Sequence, residues 1–478
     1  MTATSPIALS LLMDRLSWPV KMVRWKAAKA IRMLVENEET NAECIDSLLS
    51  WIASRVFESE VISGLSILLI LKPSSRPSFE RVCASIARPS LLSELLLERI
   101  YEGRRCGGWE KGHSGNAPKY FVPARYFEEF KKVHVPPIFT HNVDNLERQN
   151  GLPFAVQWAY EWQLLTEATQ TAKTNYAHHF GDFGLQQAGI GGQFCQRQGE
   201  VYRSAYLRML SYAANVWGMP PRYAANYLFN ALSLLPGLFD VEPQQRPSWL
   251  GDLPSAILRD DGNLVDVGKA IVAAGRQCEN CLVALGTPFP VGEMEFGDLE
   301  LLSFFVSEDF EPEFEQKLQA PLDIYFPGDL TFGGVRKPLE MKVVPGKLGT
   351  AISVCADTQP VLRGFWHDDY FQRGLLLPAS YCFDVETTLH AGTDGLNVTC
   401  ESGQVAQATF WHDAWTPLYA KGSPTRCGIA TFMRRDALKQ AASRFGMRIG
   451  WSIRANTMVK DDGFSELNPS SHKAFFLE

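Results

Sequence analysis

Asp329, Glu340 and Lys342 are the residues whose types and spacing point most directly to a reaction. They lie in PGDLTFGGVRKPLEMKVVP, residues 327–345. An Asp and a Glu can hold a divalent cation through oxygen ligands. The cation would activate a water against a phosphodiester, and the lysine would steady the charge that develops. LEMKVV reads as a strand, whose alternation puts Glu340 and Lys342 on one face. The plain alternative is two solvent-facing charges on a strand crowded by Pro338 and Pro345. A divalent metal is expected only under the first reading, and no other cofactor is expected.

A second constellation is the repeated tetrapeptide Phe-Trp-His-Asp, in GFWHDDYF (364–371) and TFWHDAWT (409–416). With His390 between the copies, two or three imidazoles and several aspartates could make a mixed metal site. Trp366 and Trp411 could instead line an aromatic binding groove. The structural alternative is two equivalent strand ends with Trp in the core and His-Asp at the rim. NYAHHFGDFG places His178 and His179 beside Asp182, but adjacent side chains do not converge on a helix. Cys278 and Cys281 in GRQCENCLV supply two zinc ligands with no second pair to complete a tetrahedron, and read as a helical pair. The remaining cysteines, without paired spacing, read as reduced and mostly buried. The sequence holds no GxxxxGK[ST], GxSxG or HExxH pattern.

Two stretches combine arginine with aromatic residues. YEGRRCGGWEKGHSGNAPKYFVPAR carries Arg104, Arg105 and Lys111 among Trp109, Tyr120 and Phe121. Such a loop could meet a phosphate backbone with stacking support; as a solvated connection it needs no ligand. RQGEVYRSAYLRMLSYA carries Arg203 and Arg208 among three tyrosines. These arginines could contact a partner or a phosphate, or pair with nearby acids, Glu200 with Arg203 or Arg197. The net charge of −7 over 478 residues gives no general field for nucleic acid, so any such binding is local.

The elements that must position these residues change character along the chain. In DRLSWPVKMVRWKAAKAIRMLVENEE, Val23, Ala27, Ala30, Ile31 and Leu34 recur at helical spacing, leaving Arg24, Lys26 and Lys29 mostly to solvent. Val23–Leu34 aligns with VISGLSILLILK, residues 61–72, with another amphipathic run between them. Long aromatic-rich helical runs follow, broken at Met219-Pro220-Pro221. Later, short apolar runs separated by Gly, Pro and Asp read as strands and hairpins, then a helix stopped by Gly446 and a final strand. The expected organisation is a helical region at 1–105, a linker or loop at 106–142, a helical region at 143–285 and a strand-rich α+β domain at 286–478. The fold class is multidomain, α and α+β.

PVKMVRWKAAKAIRML resembles the second helix of a HEAT repeat, and the likeness covers roughly residues 8–100. HEAT repeats imply a helical scaffold that binds other macromolecules. The texture of the whole chain also resembles helical-repeat proteins of bacterial antiviral defence. The Asp329, Glu340 and Lys342 pattern resembles the PD-(D/E)xK nuclease-like family, which would make them the metal acid, the second acid and the lysine. The leading expectation is a non-enzymatic scaffold or recognition subunit of an intracellular multiprotein system, cytoplasmic, with protein partners. The alternatives are a metal-dependent nuclease or phosphodiesterase, and a nucleic-acid-sensing module using the Arg104 loop. No membrane association is expected: the apolar run GLSILLILK is too short to span a bilayer and reads as a core helix.

Overall fold

The computed structural model describes residues 6–18, 21–121, 137–171, 189–228, 231–232, 236, 239–251, 261–276, 279–292, 295–311, 335–336, 351–357, 376–412, 427–459 and 468–478. The chain divides into two compact units, Met1–Phe239 and Asp240–Glu478.

The described part of the first unit is helical. It runs through α1 (Pro6–Asp14), α2 (Lys21–Val35), α3 (Asn41–Ala53), α4 (Glu58–Ile70), α5 (Phe79–Ser85), α6 (Leu91–Ile100), α7 (Pro137–Asn150), α8 (Phe154–Ala168), α9 (Gly189–Asn215) and α10 (Pro221–Leu228). On α2, Ala27 and Ile31 of the expected stripe are buried, while Val23, Ala30 and Leu34 are half-buried and Trp25, Ala28 and Val35 are buried instead, so the inner face is rotated from the one the spacing predicts. The GLSILLILK run falls largely within α4, where Gly64, Leu65, Ile67 and Leu68 are buried. Helix α6 opens on a capping box: Ser90 Oγ accepts the Ser93 N–H while Ser93 Oγ accepts the Ser90 N–H. Tyr202, Tyr206, Leu210 and Ala213 of α9 are buried, and so are Val201, Ala205, Leu207 and Met209, so this stretch of the helix is buried on more than one face. The chain breaks at Met219-Pro220, and α10 starts on Pro221, where a missing N–H costs nothing.

One expectation on α2 fails. Arg24, read as available to solvent, is 1% exposed and faces Glu200 of α9 at 3.8 Å. Periodicity placed it beside the apolar stripe, and a carboxylate on another helix drew it inside.

The second unit is built on an antiparallel sheet. Its strands are β1 (Asn280–Gly292), β2 (Glu295–Val306), β3 (Val335–Arg336), β4 (Ala351–Ser353), β5 (Cys355–Asp357), β6 (Leu376–Pro378), β7 (Thr387–Gly392), β8 (Gly395–Cys400), β9 (Gly403–His412), β10 (Cys427–Arg434), β11 (Arg448–Val459) and β12 (Asn468–Leu477). The main sheet runs β12-β11-β2-β1-β10-β9-β8-β7-β3, with β4 paired to the end of β2 and β5-β6 as a separate ribbon. Helices α11 (Asp261–Ala274) and α12 (Arg435–Phe445) lie among its described residues. Gly268 lets α11 approach closely, because a side chain there would strike the Phe476 ring on β12. Trp451 stacks on Phe476 at 5.8 Å and donates its ring N–H to the Leu282 carbonyl. A helical unit followed by a sheet-rich unit with flanking helices is the α and α+β layout that the texture predicts.

Cys281 does not sit on a helix. It lies in β1, buried, with its thiol 3.4 Å from the Met433 carbonyl across the ladder to β10. Pairing with a strand more than a hundred residues away decides this, and local pattern cannot report it. Cys278 lies outside the described residues. Among the described residues, no helix is long and apolar enough to cross a membrane.

Candidate functional site

The arginines singled out in the sequence fall into two settings. Arg104, Arg105 and Lys111 belong to the 101–121 loop that follows α6, and all three are exposed. Arg104 pairs with Glu80 of α5 at 2.6 Å and lies 3.9 Å above the Phe79 ring. Arg105 pairs with Glu98 of α6. The hydrogen bond from Arg104 holds the Glu80 carboxyl below its usual range, and the bond to Glu98 raises Arg105 further. Two of the three cations are therefore engaged with acids of the same unit. Such exposed pairs add little stability but reduce the charge offered to a phosphate.

The loop folds back over the helices through its backbone. The Cys106 N–H donates to Glu94 Oε2 at 3.1 Å, and the Ser114 N–H to Glu161 Oε1 at 2.8 Å. The Ala117 N–H reaches Gln157 Oε1, and Gln157 returns a hydrogen bond to the Gly115 carbonyl. His113 sets its ring edge-on to Tyr212 at 5.1 Å, and burial lowers its pKa. Glycines 107, 108 and 115 adopt positive φ, which makes the path possible. Burial raises both the Glu94 and the Glu161 carboxyls, against the lowering effect of these N–H donors.

The cysteine expectation is corrected here. Cys83 on α5 and Cys106 in the loop form a disulfide, with their Cα atoms 5.7 Å apart. Their separation of 23 residues carries no pairing signal, and the return of the loop brings them together. Cys44, Cys281, Cys355 and Cys382 are buried free thiols, as expected.

Arg203 and Arg208 lie on α9 inside the helical unit. Arg203 pairs with Glu200 at 3.1 Å, one of the two local pairings foreseen. Arg208 reaches Glu58 at the start of α4 at 2.7 Å. Glu200 also accepts from the buried Ser59 hydroxyl, which lies 3.0 Å from that of Ser204. Nearby, Glu60 takes a hydrogen bond from Ser17 and an ion pair from Arg55 at 3.7 Å. Burial, together with the Glu200 charge, pushes its pKa up to about 7. This network was legible only in outline. Ser59, Ser63 and Ser66 make a polar stripe at helical spacing within an apolar run, and all three are buried. Ser59 marks where α4 meets α9, while the Ser63 and Ser66 hydroxyls donate to carbonyls of α4 itself.

Trp411 does not line a groove. It is fully buried in β9, opposite Gly428 of β10, with its ring against that glycine. The tryptophan half of the core reading holds for this copy, and Asp413 lies outside the described residues. Its partner Trp366 lies outside the described residues, as do Asp329, Glu340, Lys342, His178, His179 and Asp182. His390, on β7, is exposed. Among the described residues, no group of three or more His, Cys, Asp or Glu side chains is arranged to hold a metal ion.

The described candidates therefore assemble into an interior ion network and a fastened loop in the first unit, and a buried tryptophan in the second. No protein-family model and no curated protein matches the chain.

Proposed function

We propose that the chain is a scaffold or recognition subunit that engages a protein partner through its N-terminal helices. The observation that carries this is a set of large apolar side chains left in water there. Ile7 is 72% exposed and Leu11 59%, one turn apart on α1, and Met33 on α2 is 72% exposed. The same helices bury Leu9, Met13 and Ile31, so their inner faces are satisfied and these side chains are surplus to the core. Contiguous exposed apolar surface marks interaction sites more often than scattered side chains do, and Ile7 and Leu11 adjoin on one face of α1. The HEAT-like pattern of α2 supports the reading, since stacked helical repeats present surfaces to partners. An antiviral-defence setting rests on resemblance alone.

The test is affinity purification of the tagged chain beside an Ile7→Asp, Leu11→Asp, Met33→Asp variant whose helical content is verified by circular dichroism. A stoichiometric protein captured by the parent chain and lost by the variant is the expected result. A partner retained equally by both would remove this surface from the proposal. A lone chain that cuts nucleic acid in Mg²⁺ or Mn²⁺, and stops on Glu340→Ala or Lys342→Ala, would replace it with the nuclease reading.

A further inference from the structure

The disulfide, the loop it holds and the carboxylates beneath that loop form one arrangement. Cys83 and Cys106 are both partly exposed, so a dissolved thiol can reach the bond. The four buried free thiols named above cannot readily exchange with it. On one side of the bond is α5, packed on α3. On the other is a glycine-rich segment with five positive-φ residues, Glu102, Gly103, Gly107, Gly108 and Gly115. Hydrogen bonds and surface ion pairs fasten this segment for the most part. The large apolar side chains it offers, Tyr101, Trp109, Tyr120 and Phe121, are half-buried or exposed, with Tyr101 edge-on to Phe79 and Phe121 edge-on to Tyr160. Segments with this balance open at low free energy unless they are tied down.

Beneath the loop, Glu94 is 2% exposed and Glu161 is fully buried. Each takes at least one N–H from the loop, from Cys106 and Ser114 respectively. Glu94 Oε1 and Glu161 Oε2 have no hydrogen-bond partner among the described residues. Departure of the loop would remove the Cys106 donor from Glu94 and the Ser114 donor from Glu161, leaving Glu161, among the described residues, only the Gln157 side chain of α8, and would admit water to both.

We propose that Cys83–Cys106 is a reversible redox strap: a dithiol reductant opens it and so frees the 101–121 loop to uncover Glu94 and Glu161. In the reaction, a thiolate of the dithiol attacks one sulfur, forming a mixed disulfide and releasing the other cysteine as a thiolate. The second thiol of the reductant then displaces the remaining cysteine. Two electrons and two protons pass to Cys83 and Cys106, and the dithiol leaves as its own disulfide. Loss of the cross-link returns conformational freedom to the loop, while the helices keep their own packing.

The experiment uses the full chain purified without reductant. Non-reducing peptide mapping should show the Cys83 peptide joined to the Cys106 peptide. Limited trypsin digestion then follows cleavage after Arg104, Arg105 and Lys111, with and without dithiothreitol. Reduction should speed these cuts by about tenfold or more, with the helical circular dichroism signal retained. A Cys83→Ser, Cys106→Ser variant should be cut at the fast rate with or without reductant. Absence of the linked peptide would overturn the proposal. So would unchanged cleavage once both thiols are confirmed free. Loss of the helical signal on reduction would also overturn it, because the bond would then hold the unit as a whole.

Discussion

Arg208 and Glu58 stand 150 residues apart in the sequence and meet at 2.7 Å in the interior of the helical unit. Their side chains are 11% and 3% exposed. The pair joins the start of α4 to the middle of α9, and the Ser59–Ser204 contact lies beside it.

Breaking this pair from one side should be costly. Arg208→Ala leaves the Glu58 carboxylate buried without its cation, and a loss of about 3–5 kcal/mol is expected. Replacing both by apolar residues of similar size, Arg208→Met with Glu58→Leu, should cost much less, because no unpaired charge remains. Urea unfolding of the single and double variants measures both. Equal losses for the two variants would show that packing, not the uncompensated charge, carries the effect.

Glu60 gives the helical unit a pH dependence. Its pKa in the folded protein is raised to about 7 by burial and by Glu200, against the lowering effects of Arg55, Ser17 and Arg197. In the unfolded chain it returns to the ordinary carboxyl range, so between that range and about 7 the folded state binds more protons. The contribution of Glu60 to stability therefore falls as pH rises through this window. Glu60→Gln keeps an acceptor for Ser17 and removes the titration. At pH 8 the variant should be more stable than the parent by on the order of 1–3 kcal/mol, and the gap should close near pH 5. Thermal melts at the two pH values check it; a gap that widens at pH 5 would reverse the sign.

Trp411 is predicted to act as core. Trp411→Ala should destabilise the second unit by about 3–5 kcal/mol. Gly428→Ala should cost about 1–3 kcal/mol, since its methyl would meet the Trp411 ring and the Gly286 carbonyl. A Trp411→Ala protein with an unchanged melt would return this residue to the list of binding candidates.

Gly446 ends α12 in the left-handed region at φ 63°. Gly446→Ala should cost about 1 kcal/mol, because a Cβ is disfavoured there, with no change in the spectroscopic fold. Chemical denaturation would read the shift.

The sequence by itself determined what depends on neighbours within a turn or two. The helical character of α2, the α4 core helix, the break before Pro221 and the Gly446 stop all follow from spacing and backbone preference. So does the pairing of Arg203 with Glu200, three residues apart. The tertiary structure alone decided the contacts between distant segments. Arg24 was drawn inside by a carboxylate on α9, and Cys281 was fixed in β1 by its partner strand β10. Cys83 found Cys106 because a loop turned back, and Trp411 was placed in the core by the glycine opposite it. Local patterns record which face of an element is apolar. They do not record which remote group will meet that face, and burial of a charge or a thiol depends on that meeting.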